Sequence, residues 1–374
     1  MGVVVPTSQL TFSCRLLRQL LRREQDNIFV SPASVGLALG MVAAGAQGST
    51  LAALEQTLGI DAKLAANRAE RLFASLKTLP PGVTVELANS LWARSGLPLS
   101  QRYAGAMRES YRGEVRNLDF TRASAPTIVN DWVSRATHGQ INGVVDSVEA
   151  ATVLLLINAT YFHGQWEFPF DAKKTIDHEF ATASGGVTQV RLMQKRDSFS
   201  YMDDSEVQAV RLPYTQGRFH LLVVLPRGRL STAAFDAIAQ PESMAGILAR
   251  LKKRDGFLGL PRIRLGYTAD LAPELAEMGM GLALTQDADF SGIFDGNVPA
   301  FISRVLHKTR LEIDEQGTTA AATTLLQASL GISMKSLPPA PFEMIVDRPF
   351  LVALIEFETD LPLFIGVIGD PTGR

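Results

Sequence analysis

Residues 153–162 constrain the fold more than any other segment of the chain. Eight of these ten residues are apolar, and the segment contains neither proline nor glycine. A nearly continuous apolar run of this length predicts a β-strand that is buried on both faces. Such a strand requires a sheet covered by further layers, and a chain of 374 residues with 46% hydrophobic residues can supply them. Global disorder is therefore excluded.

The rest of the chain carries both helical and strand patterns. Helices are predicted over residues 7–23, 49–58, 62–78, 100–111, 126–137, 234–252 and 269–279, and another begins at Pro32 with Ser31 as its N-cap. Strands are predicted over residues 27–30, 87–92, 153–162, 207–212, 219–225, 302–313, 342–346, 351–357 and 363–368. No linker or internal repeat divides the chain. We therefore expect one mixed α+β domain over residues 1–374.

Charge and composition exclude several classes of protein. Lys and Arg number 36 against 38 Asp and Glu, a balance that argues against nucleic-acid or membrane partners. The single cysteine, Cys14, permits neither an intramolecular disulfide nor a cysteine-rich zinc site. The basic residues at 252–254 are predicted to be a solvated helix end. The start of the sequence lacks the pattern of a signal peptide, so cytoplasmic location is the default expectation, with extracellular action left open.

No catalytic or metal-binding motif is present. The sequence contains no G-x-S-x-G elbow, no phosphate-binding loop and no HExxH pair. We therefore expect neither enzyme activity nor a cofactor or metal.

Residues 315–341 form an unusual segment. Lys335 is its only charge between Gly317 and Pro341, and its first half is rich in threonine and alanine. Loops longer than about 12–15 residues are uncommon and are usually functional. The composition allows this segment either to enter a sheet as a strand or to remain a solvated loop.

Several motifs together resemble those of the serpin family. They are NIFVSPAS at 27–34, IVNDWV at 128–133, THGQI at 137–141, NATYFHGQW at 158–166, LPY at 212–214, DFSGI at 289–293, HKTRLEIDE at 307–315, DRPF at 347–350 and FIG at 364–366. Each motif is weak alone, but their order and spacing extend over residues 27–371.

The resemblance implies a fold of three β-sheets with eight or nine helices and an exposed reactive-centre loop at about residues 315–341. It also implies suicide-substrate inhibition of serine proteases by a monomeric, inhibitory, prokaryotic member of the family. The expected partner is a serine protease held as a covalent acyl complex. The alternative is a non-inhibitory binding protein or chaperone with the same fold.

The resemblance further implies a hinge at the start of the loop. In family register it comprises Glu315, Gly317, Thr318, Thr319, Ala320, Ala321 and Ala322. If this hinge enters a sheet, alternation places the even-numbered side chains on one face, where small uncharged residues are required. Thr319 departs from the family pattern, since inhibitory members often carry glutamate there.

Two further sites follow from the resemblance. A shutter cluster beneath the opening sheet comprises Ser31, Ser34, Asn158 and His307, and Trp166 marks the breach where the loop enters. An ordinary buried histidine and an ordinary core tryptophan are the alternative interpretations of His307 and Trp166.

The reactive bond is expected near Gly331, sixteen positions after Glu315. Leu330 would fill an apolar protease pocket better than glycine, so Leu330, Gly331 and Ile332 are the candidates. They favour a protease of chymotrypsin, elastase or subtilisin type. The longer spacing toward the prolines leaves a register as far as Met334 or Lys335 open.

Overall fold

The computed structural model describes residues 7–23, 26–228, 231–296, 298–317, 340–357 and 361–373. The α-helices in these ranges are α1 Ser8–Leu21, α2 Pro32–Ala43, α3 Gly48–Leu58, α4 Ala62–Ser75, α5 Gln101–Tyr111, α6 Ala125–Ala136, α7 Thr232–Ile238, α8 Pro241–Arg250 and α9 Ala272–Leu275. The strands are β1 Ile28–Val30, β2 Val83–Arg94, β3 Glu114–Leu118, β4 Leu154–Gly164, β5 Ile176–Ala181, β6 Val187–Asp203, β7 Val207–Pro213, β8 Phe219–Pro226, β9 Lys252–Pro261, β10 Ile263–Asp270, β11 Ile302–Ile313, β12 Phe342–Ile345, β13 Phe350–Glu356 and β14 Leu361–Ile368.

A five-stranded sheet has the order β10-β11-β4-β2-β3. Its central strand β4 is buried along almost its whole length, as the apolar run predicted. Strands β4 and β11 are parallel neighbours, although their sequences lie about 150 residues apart. One face of the sheet packs on α6, through contacts that include Trp92 against Trp132 at 6.1 Å between ring centroids. The opposite face packs on α2 and on the main core.

A nine-stranded sheet contains the remaining strands. Its order is β1-β14-β13-β8-β7-β6-β9-β12, with β5 paired to β6. Hydrogen bonding therefore joins the described strands into two sheets, where the resemblance implied three. The reason is the length of β6, whose residues Ser200 and Tyr201 pair with β7 on one side and with β9 on the other.

The helix starting at Pro32 forms as predicted. Ser31 has an extended backbone, and its side-chain oxygen accepts the Ser34 N–H at 3.2 Å, while Pro32 occupies the first turn. This is the arrangement in which proline costs no backbone hydrogen bond. The cap fixes the position of Ser31 at the sheet face.

Two helix predictions are corrected. The predicted helix 234–252 is broken at Ala239 and Gln240, because Pro241 starts a new helix. The basic residues at 252–254 begin strand β9 and are not a helix end. Only Ala272–Leu275 of the predicted helix 269–279 is α-helical; a wider turn follows it.

In the described part of the chain, no helix is both long and apolar enough to span a bilayer.

Candidate functional site

A row of polar side chains crosses the middle of the five-stranded sheet. Asn89 of β2 is the register partner of Asn158 of β4, which is the register partner of His307 of β11. All three residues are almost completely buried, on the face that packs on α2. Buried polar groups usually have hydrogen-bond partners. The Oδ1 atoms of both asparagines have them, whereas their buried Nδ2 atoms have none among the described residues.

His307 bonds to two different elements through its two ring nitrogens. Its Nε2 accepts the backbone N–H of Ser31 at 2.9 Å. The proton of the neutral ring therefore lies on Nδ1, which donates to Oδ1 of Asn158 in a close contact. Burial lowers the pKa of His307 to about 3, so the ring stays neutral at physiological pH. The neutral ring thus links Ser31 and Asn158 through its two nitrogens.

Two serines complete this cluster at the start of α2. Ser31 caps the helix, and the Ser34 hydroxyl donates to Oδ1 of Asn89 at 3.1 Å. The structure thus brings together all four predicted residues, Ser31, Ser34, Asn158 and His307. The sequence analysis missed Asn89, although a polar residue in the centre of the predicted strand 87–92 was a usable signal.

The pairing between the parallel strands β4 and β11 stops before the C-terminal ends of the two strands. The last register pair is Arg310 with Tyr161. Beyond it, the described residues of β11 continue to Ile313 and pair only with β10. The two strands are therefore unpaired beyond Arg310 and Tyr161, and residues 314–317, which follow β11, lie against the end of β4.

A tight turn closes this end. The Asp314 N–H donates to the carbonyl of Gly317 at 2.7 Å, and the Gly317 N–H donates back at 3.2 Å. Gly317 has φ of 126°, and a Cβ atom there would lie 2.2 Å from the carbonyl oxygen of Gly164. Only glycine fits this position without displacing β4.

Glu315 is buried beside the turn and paired with a cation. Arg262 donates from Nη2 to Oε1 at 2.8 Å and from Nε at 3.0 Å, and the Thr175 hydroxyl also donates to Oε1. Burial alone would raise the pKa of Glu315, but these hydrogen bonds outweigh it and hold the pKa below its usual value. The carboxylate therefore stays ionised and holds residues 314–317 against Thr175 and Arg262.

Trp166 lies against the same turn. Its indole stacks on Tyr214 with 4.4 Å between centroids and contacts the edge of Phe170 at 6.4 Å. The backbone N–H of Trp166 donates to Gln316 and its Nε1 donates to Asp314, both at 2.9 Å. Phe170 N–H donates to Glu315 at 2.8 Å. Trp166 thus contacts the turn at residues 314–317 directly, and its role where the loop enters stays a prediction.

The remaining predicted site residues lie outside the described residues. They are Thr318, Thr319, Ala320, Ala321, Ala322, Leu330, Gly331 and Ile332. In the described ranges, no group of three or more His, Cys, Asp or Glu side chains is placed to hold a metal ion.

Comparison with known proteins gives a consistent result. Residues 7–371 match the family model described as serpin (serine protease inhibitor). An uncharacterized serpin-like protein of Thermococcus kodakarensis is 32% identical over 99% of this chain and 86% of its own length. The native crystal structure of the thermophilic serpin tengpin has a TM-score of 0.87 and 26% identity, covering 97% of this chain and 93% of tengpin.

A further similar structure is human thyroxine-binding globulin in its ligand complex. It has a TM-score of 0.86 and 27% identity, and the match covers 98% of both chains. These structures confirm the fold predicted from the sequence over nearly the whole chain.

Proposed function

Because this chain belongs to the serpin family, we propose that it inhibits serine proteases as a suicide substrate. Serpins are generally protease inhibitors and not catalytic enzymes. The protease serine attacks the carbonyl carbon of the bond near Leu330–Ile332. The C–N bond breaks, the new amine leaves with a proton, and an ester joins the protease to the inhibitor.

The single observation that carries this proposal is the unzipped end of the β4/β11 pair. A third strand between two parallel strands can run antiparallel to both. The turn Asp314–Gly317 already points the chain back along β11. The freed loop therefore has a site to enter once it is cut.

The bridge between Asp314 and Gly317 also sets a register for insertion. Each step along the loop moves one residue back along β11. Thr318 would then lie opposite Ile313, and Ala320 opposite Leu311. Both of these β11 side chains are buried, so the even-numbered loop side chains enter the core. Thr and Ala there are small and uncharged, as the core requires.

The same register places Thr324 opposite His307. Insertion separates Asn158 from His307 and so breaks their hydrogen bond. The hydroxyl of Thr324 can both donate and accept, and it becomes the new neighbour of both side chains. We therefore propose that the shutter cluster is the part of the sheet that must open and re-form.

The insertion energy can hold the acyl complex. About ten inserted residues at about 0.5–1.5 kcal/mol per hydrogen bond release on the order of 10 kcal/mol. Deacylation needs an aligned protease active site, and a displacement of about 1 Å can slow it roughly 100-fold. A protease dragged along the sheet therefore remains trapped as the ester.

A protease panel tests the proposal. Incubation with chymotrypsin-, elastase- and subtilisin-type proteases should give an SDS-stable adduct with at least one of them. A protease whose serine is chemically blocked is the control and should give none. Clean cleavage of the loop by every protease, with full activity retained, would contradict inhibition.

The similarity to thyroxine-binding globulin favours a second candidate, a non-inhibitory binding protein. Such a protein has no need of an insertable hinge and would tolerate proline or charge between Gly317 and Thr324. The sequence has neither there. The protease panel separates the two candidates, because a binding protein gives cleavage without an adduct.

A further inference from the structure

A cavity lies beside Trp166, against strands β6 to β9 of the nine-stranded sheet. Its volume is about 200 Å³. A single water molecule needs only about 10–15 Å³ on this measure, so the cavity has room for a single-ring organic molecule. Its apolar lining comes from the Trp166 segment and from β6 and β7, and includes Trp166, Phe168, Phe170, Phe199 and Leu212.

The described lining carries an excess of positive charge. The ammonium groups of Lys195 and Lys253 line the cavity beside a single carboxylate, Asp197. Lys195 lies 2.8 Å from Asp197 and neutralises it. Lys253 is exposed, makes no ion pair within 4 Å with any residue that the structure describes, and acts on Asp197 only at longer range, where its charge helps to lower the pKa of that carboxyl. The cavity therefore offers favourable electrostatics to an anion.

One exposed aromatic ring borders the same cavity, and a second contacts two of its lining residues. The Phe168 side chain lines it and is 57% exposed, which is unusual for a large apolar group. Lys195 Nζ lies 5.3 Å from the centre of this ring. Phe357 is also exposed, and its ring lies 5.4 Å from the Arg211 guanidinium and 5.1 Å from the His220 ring. Rings beside cations form a surface suited to an aromatic anion.

His220 adds an unsatisfied acceptor to the lining. Its ring donates to the carbonyl of Gly217, and burial, reinforced by Arg211, lowers the pKa of His220 to about 4. The neutral ring therefore presents Nδ1 as an acceptor. This Nδ1 atom is buried and has no hydrogen-bond partner among the described residues. A buried acceptor without a donor is unfavourable, so a ligand that donates a hydrogen bond gains affinity here.

We propose that this cavity binds a small hydroxylated aromatic carboxylate. The carboxylate pairs with the cationic groups that include Lys253, the ring packs against Phe168, and the hydroxyl donates to His220. The positive charge of the lining disfavours uncharged aromatic molecules, and its apolar rings disfavour aliphatic acids. The acceptor on His220 favours a ligand with a hydroxyl group.

The ligand is also a regulator of loop insertion, a consequence that rests on the proposed function. It packs against Trp166 and Phe170, whose backbone N–H groups hold Gln316 and Glu315. A ligand bound to this arrangement stabilises the uninserted state by mass action. Loop insertion then becomes slower, so that a larger fraction of the acyl ester is hydrolysed before the protease is trapped. The stoichiometry of inhibition therefore rises.

Calorimetric titration of the full chain with 4-hydroxybenzoate tests the binding site. We expect saturable binding, about tenfold weaker in Lys253→Gln and in Phe168→Ala. Both side chains are exposed, so neither change threatens the fold. Lys252→Gln is the matched control, because Lys252 precedes Lys253 on the strand and faces the other way. Benzoate lacks the phenolic hydroxyl, and 4-hydroxybenzyl alcohol lacks the negative charge. Each should bind more weakly than 4-hydroxybenzoate.

Absence of binding at millimolar 4-hydroxybenzoate would overturn the site, and so would equal losses in the two lysine variants. The stoichiometry of inhibition with and without ligand tests the regulatory part. An unchanged stoichiometry under saturating ligand would overturn regulation while leaving the site intact. A chain that binds the ligand but forms no protease adduct would retain the site and refute the inhibitor proposal instead.

Discussion

The imidazole of His307 is fully enclosed, and folding therefore sets its protonation state. The unfolded state binds a proton below about pH 6.5, whereas burial lowers the folded pKa to about 3. The folded state thus excludes a proton that the unfolded state accepts. This contribution to stability is complete above about pH 6.5 and is lost as the pH falls toward 3.

The free energy of unfolding should accordingly decrease by about 1.4 kcal/mol per pH unit through His307 as the medium is acidified from about pH 6 to about pH 4. His307→Gln should remove this part of the slope and lower stability at neutral pH. Urea unfolding at several pH values measures both effects. His178→Gln is the control, since His178 lies on strand β5 and makes no ion pair within 4 Å with any residue that the structure describes. A slope unchanged by His307→Gln would contradict the assignment.

Gly317 allows a second prediction for a single residue. Gly317→Ala introduces a Cβ atom 2.2 Å from Gly164 O at φ of 126°. The uncleaved protein should lose about 1–3 kcal/mol of stability, as expected for a side chain forced into a disfavoured conformation. Gly266→Ala is the control, because its added Cβ meets nothing within 4 Å. Equal unfolding curves for the two variants would refute the close approach of the turn to β4.

The alternation proposed for the hinge is tested by charge at two neighbouring positions. Thr318→Arg places a guanidinium opposite buried Ile313, where an unpaired charge costs several kcal/mol. Insertion should slow at its first step, and the stoichiometry of inhibition should rise about tenfold. Thr319→Arg points its side chain outward, beside Glu312, and should have little effect. An equal rise in the stoichiometry of inhibition for both variants would refute the proposed alternation of side chains.

Elements with strong local patterns were predictable from the sequence. The buried strand β4, the hairpin β7–β8 and the capped helix α2 all appear within a few residues of their predicted bounds. The sequence analysis did not identify β3, β5, β6, β9 and β10. The outer face of strands such as β5 and β10 is polar, and their pairing partners, not a local apolar run, hold them in place.

The residues of the candidate site likewise divide into those that the sequence could predict and those that it could not. Its cluster at Ser31 and His307 could be predicted because the family motifs carry those residues. The partners of Glu315 could not, since Thr175 precedes it by 140 positions and Arg262 by 53. Only the completed chain fold brings a hydroxyl and a guanidinium to that carboxylate.

Over the whole molecule, the proposed function implies that the uncleaved protein is not in its most stable state. Cleavage within residues 325–335 should allow the loop to enter the five-stranded sheet. With about 10 kcal/mol released, the melting temperature should rise by roughly 10–20 °C. Calorimetry before and after limited proteolysis measures the change. An unchanged melting temperature after clean nicking would show that no insertion occurs.

Strand β14 lies between β1 and β13 in the nine-stranded sheet, although β1 is the first described strand in the chain and β14 is the last. Residues 28–30 are synthesised early on the ribosome, whereas residues 365–367 are synthesised much later. In the described sheet, residues 365–367 are the only strand partners of residues 28–30, so β1 cannot pair until then. The nascent chain cannot close this sheet until β14 has left the exit tunnel. The apolar residues of β1 therefore lack their sheet partner until nearly the whole chain has been made, and an unpaired apolar strand favours aggregation during that time.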